Sequence, residues 1–233
     1  MTENKIILVI IGGLGGVQSG PNMLTELQQA HKPNLNALMR KSICGLVCPA
    51  EAGKTPSKST ALAGLLGCSG RPQQTFAKRF HRKALVLTSD PVMRRVAARC
   101  SIPVRICASG VAAVFAAIDR GGEEILILHI PDAEPFGLQK EYYDKIKILE
   151  DIDRHLPELQ ALDPAVLCVT GDVTLPTAVG RITWHPAPVM IQAKNGRYDM
   201  VQSFDEISCS QGGLHVLHST QLMPLLLAHA DCT

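Results

Sequence analysis

The hydrophobic pattern begins with Ile6-Ile7-Leu8-Val9-Ile10-Ile11, an apolar run without alternation that follows Lys5 and closes on Gly12, Gly13, Gly15 and Gly16. Such a run predicts a central parallel strand covered on both faces, and glycines past its carboxyl end permit a tight turn or close approach to a ligand. Further on, helical spacing predicts helices over Met23 to Ala30, Pro33 to Lys41 and Ser59 to Leu66, with a strand over Ile43 to Cys48 between the last two. From Lys83 the pattern alternates: strands at Ala84 to Leu87, Val104 to Ala108 and Ile125 to Ile130, with helices at Pro91 to Arg99 and Val111 to Arg120. Repeated βα units with short connections predict a parallel sheet flanked by helices. Leu138 to Leu156 reads as an amphipathic helix with Tyr142, Ile146, Leu149, Ile152 and Leu156 on one stripe. Strands at Val166 to Thr170 and Pro188 to Ile191 and a helix over Thr220 to Ala230 complete the reading. Gly70 to Arg82 is basic and carries no period.

Composition narrows this picture. With 233 residues, 46% apolar content and mean hydropathy +0.12, the chain supports a sizeable core, and a single α/β domain over 1–233 is the economical expectation. A net charge of +2 with 4% aromatics predicts no nucleic-acid partner. The longest apolar run is too short for a membrane span and lacks a signal-peptide pattern, so no membrane contact and a cytosolic location are expected. Cys44, Cys48, Cys68, Cys100, Cys107, Cys168, Cys209 and Cys232 form no CxxC pair, which predicts reduced thiols rather than disulfides or zinc.

Taken residue by residue, the candidate chemistry is sparse. Gly12 to Gly16 does not match a dinucleotide fingerprint, because Gln18 stands where its last glycine would, so a structural turn is expected. Ser57 is expected to cap the helix that follows it. His129 and Asp132 lie at a strand end, and a rebuilt ligand set with Asp172 and His185 is the alternative to ordinary packing. His215 and His218, three apart, are expected to be solvated or packed.

Four blocks change the reading. KIILVIIGGLGG resembles a strand ending D-G-x-G-D. Thr25 to Gly67 resembles, without a gap, a region that ends in the nucleophile loop P-G-S-D-T-A-H. His129 to Asp153 resembles H-x-K-x-x-D-E-x-x-H with its following helix. TGDVTLP at Thr170, HPAPVMI at His185 and FDEISCSQGGL at Phe204 resemble T-G-D-H-S-T-P, P-V-P and F-D-E-x-S-C-x-x-G-G-L. In this order they resemble the archaeal-type cofactor-independent phosphoglycerate mutases of the alkaline phosphatase superfamily.

The resemblance implies an alkaline-phosphatase-like sheet and a two-metal site around a serine nucleophile. It also implies an inserted domain, whose place between Gly67 and Ala84 holds sixteen residues here. Carried over by position, the two aspartates of the first motif fall on Gly12 and Gly16, the serine on Lys58 and its neighbouring aspartate on Ser59. The third block's ligands fall on Glu134 and Leu138, the T-G-D-H pair on Asp172 and Val173, and the last histidine on Ile182.

A lysine ammonium about 4 Å from a divalent ion is repelled by roughly 8 kcal/mol at an effective dielectric near 20. The expectation is therefore no metal cofactor and no phosphoserine, with Lys58 replacing the lost cations among Asp172 and Glu134. Gly12, Gly13, Gly16, Lys58, Ser59, Glu134 and Asp172 would line a vestigial pocket, with Asp172 and Glu134 the fallback metal ligands. The expected role is binding of a phosphorylated small molecule or a protein partner, including a second copy, without catalysis. The alternative is a phosphomutase or phosphatase with a remodelled Mn or Zn centre.

Overall fold

The computed structural model describes residues 4–51, 53–70, 74–119 and 121–232. Its frame is one eight-stranded sheet built from β1 (Ile6–Ile11), β2 (Ile43–Cys48), β3 (Ala84–Thr88), β4 (Val104–Ile106), β5 (Ile125–Ile130), β6 (Val166–Gly171), β7 (Ala187–Ala193) and β8 (His215–His218). The order across the sheet is β4-β3-β5-β1-β6-β7-β2-β8. Only β7 runs antiparallel to its neighbours, β6 and β2, so the carboxyl ends of the other seven strands share one edge.

The unbroken apolar run of β1 now has a physical account. Side chains alternate between the faces of a strand, and both faces are covered. Ile6, Leu8 and Ile10 enter one core, while Ile7, Val9 and Ile11 enter the other. The first core packs against α3 (Lys58–Leu65), α4 (Phe76–Phe80), α5 (Pro91–Arg99) and α10 (Leu222–His229). The second packs against α1 (Glu26–Gln29), α2 (Pro33–Met39), α6 (Val111–Ala116), α8 (Tyr142–Gln160) and α9 (Glu206–Cys209).

Several boundaries differ from the sequence reading. The helix expected over Leu138 to Leu156 is two helices, α7 (Glu134–Gln139) and α8, separated where Lys140 adopts a left-handed backbone with φ 64°. The first helix shrinks to the single turn of α1, which Thr25 and Gln28 close with a capping box. The last begins as a 3-10 turn over Ser219–Gln221. The segment 70–82 contains α4, capped by Thr75; its residues 71–73 lie outside the described residues, as does Arg120 at the end expected for α6. Strand β8 was not foreseen, because an edge strand with exposed His215, Val216 and His218 has no buried alternation to read. All eight cysteines are free thiols, as expected. No helix among the described residues is long and apolar enough to cross a membrane.

Candidate functional site

Strand ends bring the charged residues together. Lys58 is the first residue of α3, behind the Ser57 cap, whose hydroxyl accepts from Thr60 N as expected. Asp90 follows β3 and caps α5, its Oδ1 accepting from Met93 N at 2.6 Å. His129 lies one residue before the end of β5, Glu134 opens α7, and Asp172 follows β6. At the end of β1, Gly12 and Gly13 turn the chain beneath them.

The Lys58 ammonium lies 2.7 Å from Asp90 Oδ2 and 2.5 Å from Glu134 Oε1. Lys58 was expected among Asp172 and Glu134; the structure pairs it with Glu134 and with Asp90, which the sequence reading did not single out. Asp172 takes a different role. Its Oδ1 accepts from Gly13 N at 2.8 Å and Val173 N at 2.6 Å, while Oδ2 faces His129 Nε2 at 3.6 Å. His129 Nδ1 is 3.0 Å from Thr88 Oγ1, which also accepts from Asp90 N.

Burial works against the Lys58 ammonium, but the Glu134 and Asp90 carboxylates outweigh it and hold its pKa above the usual lysine value. Burial also opposes the Asp90 carboxylate, yet Lys58 and the Met93 amide bring it below its usual range. Glu134 is pushed up to about 7, first by burial and then by the charge of Asp172, against the pull of Lys58.

His129 Nε2 and Asp172 Oδ2 are buried without a hydrogen-bond partner, and Glu134 Oε1, also buried, has the Lys58 ammonium beside it. One donor atom from each of these residues lies within 4.8 Å of the others. An imidazole with two carboxylates is a donor set for one Zn²⁺ or Mn²⁺. With all three carboxylates ionised, Asp90, Glu134 and Asp172 against Lys58 leave two negative charges, which one divalent ion balances and two overfill. The residues therefore fit a single ion and not the two-metal centre. Of the set Asp132, Asp172 and His185 expected around His129, Asp172 converges with it and Glu134 joins them, while the His185 ring stacks on Trp184 and its Nδ1 meets Thr183 Oγ1.

Of the other expected pocket residues, Ser59 is half-buried one position after Lys58 and joins none of these contacts. Gly12 belongs to the centre in an unexpected way. A Cβ at this position would overlap Glu134 Oε1 and press on Pro131 Cα, so the Glu134 carboxylate occupies the space beside the strand end. Gly16 belongs to a second cluster: its N–H donates to Glu206 Oε1 at 2.7 Å, and a Cβ there would overlap Glu26 Oε2. Glu26 lies 3.7 Å from the fully buried Lys145, which donates to Leu175 O at 2.9 Å and Gly15 O at 3.2 Å. This cluster ties the glycine loop to α1 and α8; a sequence cannot pair residues so far apart. Beside it, a cavity of about 370 Å³ is lined by residues that include Gly16, Thr25, His185 and Glu206.

The Metalloenzyme superfamily model matches residues 103–229. A probable 2,3-bisphosphoglycerate-independent phosphoglycerate mutase of Thermosipho africanus is 37% identical over 107 residues, covering 46% of this chain and 27% of that protein. The match thus spans about a quarter of the curated relative. Among solved structures, the PH0037 protein of Pyrococcus horikoshii superposes with TM-score 0.93 at 16% identity, covering 98% of this chain and 97% of its own. The cofactor-independent phosphoglycerate mutase of Thermoplasma acidophilum gives 0.73 at 15% identity, covering 97% and 100%. The alkaline phosphatase of the Antarctic bacterium TAB5 gives 0.57 at 9%, covering 99% and 98%. These structural likenesses show an alkaline-phosphatase-like fold.

Proposed function

Because this chain belongs to the Metalloenzyme superfamily, we propose that it is a phosphoglycerate-mutase-like protein that no longer transfers phosphoryl groups and instead binds a phosphorylated small molecule through one divalent cation. The observation that carries this reading is the Lys58 ammonium clamped between Asp90 and Glu134. Lys58 stands where the resemblance implies a serine nucleophile. Held protonated, its nitrogen has no lone pair with which to attack phosphorus, and it has no hydroxyl to carry a phosphoryl group.

Charge supports the cation. Three carboxylates against one ammonium repel a bare phosphate, so an anionic ligand at this edge needs a positive bridge. His129 Nε2, Glu134 Oε1 and Asp172 Oδ2 would hold that ion, which when bound supplies Lewis-acid attraction for a phosphoryl oxygen. Gly13 N and Val173 N fix Asp172 through its other oxygen, which leaves Oδ2 facing His129 Nε2. Lys58 competes with the ion for Glu134 Oε1 and sets its affinity.

A hydrolytic reading has one observation in its favour: three protein donors leave a coordination position open for water, as catalytic zinc sites do. Both readings are separated by one set of measurements on metal-depleted protein. Calorimetric titration with Mn²⁺ and Zn²⁺ is expected to give one ion per chain, with tighter binding in Lys58→Ala. 3-Phosphoglycerate should bind only after the ion, with no mutase or phosphatase turnover. Metal-dependent turnover that disappears in Asp172→Ala would establish the hydrolytic reading instead, and an absence of stoichiometric ion binding would remove both.

A further inference from the structure

The net charge of +2 conceals a separation of charge along the chain. Residues 71–105 contain nine Lys and Arg against the single carboxylate of Asp90, a local net charge of +8, while the rest carries fourteen basic and twenty acidic residues. Five of these cations are exposed on two neighbouring helices. On α5, Met93, Val96 and Ala97 turn into the core while Arg94, Arg95 and Arg99 are exposed on the opposite side. On α4, Phe76 is buried while Lys78 and Arg79 are exposed. The two helices adjoin, because Phe76 N donates to Cys100 O at 2.9 Å. Arg99 and Arg79 are steadied rather than neutralised: Arg99 donates to Gly70 O at 3.1 Å, and Arg79 donates to Gly67 O and lies 5.1 Å over the Phe80 ring. Among the described residues, none of Lys78, Arg79, Arg94, Arg95 and Arg99 pairs with a carboxylate.

We propose that the α4–α5 face binds the phosphate backbone of nucleic acid, without reading its bases. Five unpaired cations, four of them guanidinium groups, match a phosphodiester chain, since arginine presents a planar fork to phosphate oxygens. An acidic protein partner suits the surface less. Protein interfaces centre on buried apolar or aromatic anchors, whereas the exposed large hydrophobic residues, such as Trp184, Tyr198, Met200 and Val216, lie outside α4 and α5. Neither α4 nor α5 carries an exposed large apolar side chain to insert into a lipid surface. No exposed aromatic ring stands among these cations to stack on a base, so affinity comes from counterion release and is indifferent to sequence. The expectation of no nucleic-acid partner rested on the low aromatic content, on finding no basic stripe, and on the charge of the whole chain, which averages these cations against acidic helices such as α8.

Fluorescence anisotropy with short DNA and RNA duplexes tests this on the full chain. Binding is expected at low salt, with similar affinity for unrelated sequences. If about four phosphates are neutralised, affinity should fall about a hundredfold between about 50 and 200 mM salt. Arg95→Glu should weaken binding roughly tenfold or more, since it replaces a phosphate contact by a repulsion. Lys147→Glu, the same charge change on the exposed side of α8, should leave it nearly unchanged, and both variants should melt like the parent. A preference between DNA and RNA would name the source of the backbone. The proposal fails if neither duplex binds at low salt, if Lys147→Glu weakens binding as much as Arg95→Glu, or if polyglutamate or phosphatidylserine vesicles bind in preference to both duplexes.

Discussion

Glu134 ties the centre to pH. Its pKa rises from an ordinary value of 4.5 in the open chain to about 7 in the fold, so between those values the native state keeps a proton that the unfolded chain has released. Stability must then fall as pH rises through this window, with this group's contribution complete below about 4.5 and lost above about 7. Asp132 and Glu206, both raised by burial, act in the same sense, while the lowered Asp90 acts oppositely in more acidic solution. Urea denaturation in chelator should therefore show the parent losing on the order of a few kcal/mol relative to Glu134→Gln between about pH 4.5 and 7. Parallel pH profiles for the two proteins would refute the assignment. Lys58, Glu134 and Asp172 were legible in the sequence because the resemblance places them at strand ends. Asp90 was not: its partner lies 32 positions away, and as a residue before Pro91 it reads only as a helix cap.

Among the elements, the sequence reading was most accurate where burial imposes a period. β1, β5 and β6 are buried along their whole length, and α8 carries Ile146, Leu149, Ile152 and Leu156 into the core on a helical repeat. It failed where solvent removes that constraint, as in β8, or where a short break is hidden inside a longer apolar stripe. The break between α7 and α8 is of the second kind, because Leu138 and Tyr142 keep helical spacing across it. Lys140 adopts φ 64° there, a backbone that glycine occupies without penalty and lysine does not. Lys140→Gly should accordingly stabilise the protein by about 0.5–1 kcal/mol in chemical denaturation, offset in part by glycine's extra freedom in the unfolded chain. A loss of stability would mean that the Lys140 side chain packing beside Gly180 outweighs the backbone term.

At the scale of the molecule, one sheet separates two cores, and β1 supplies alternate residues to both. Neither core can come apart without exposing one side of that strand, which predicts a single cooperative transition. Leu226→Ala on the inner side of α10 and Leu149→Ala on the inner side of α8 each remove a fully buried side chain from a different core. Each should lower unfolding free energy by about 2–5 kcal/mol and shift the same transition. Their effects should add within about 0.5 kcal/mol, since they share no contacts across the sheet. Two separated transitions in circular dichroism would show that the layers unfold independently.

The carboxylate of Glu134 lying in the space beside Gly12 bears on how such a centre can change over generations. An aspartate introduced at position 12 would meet an oxygen already in place, and removing Glu134 first would leave the Lys58 ammonium with Asp90 alone. Losing Lys58 first would strand two carboxylates in a half-buried site. Each single step from this arrangement toward a strand-borne ligand therefore passes through a less stable protein.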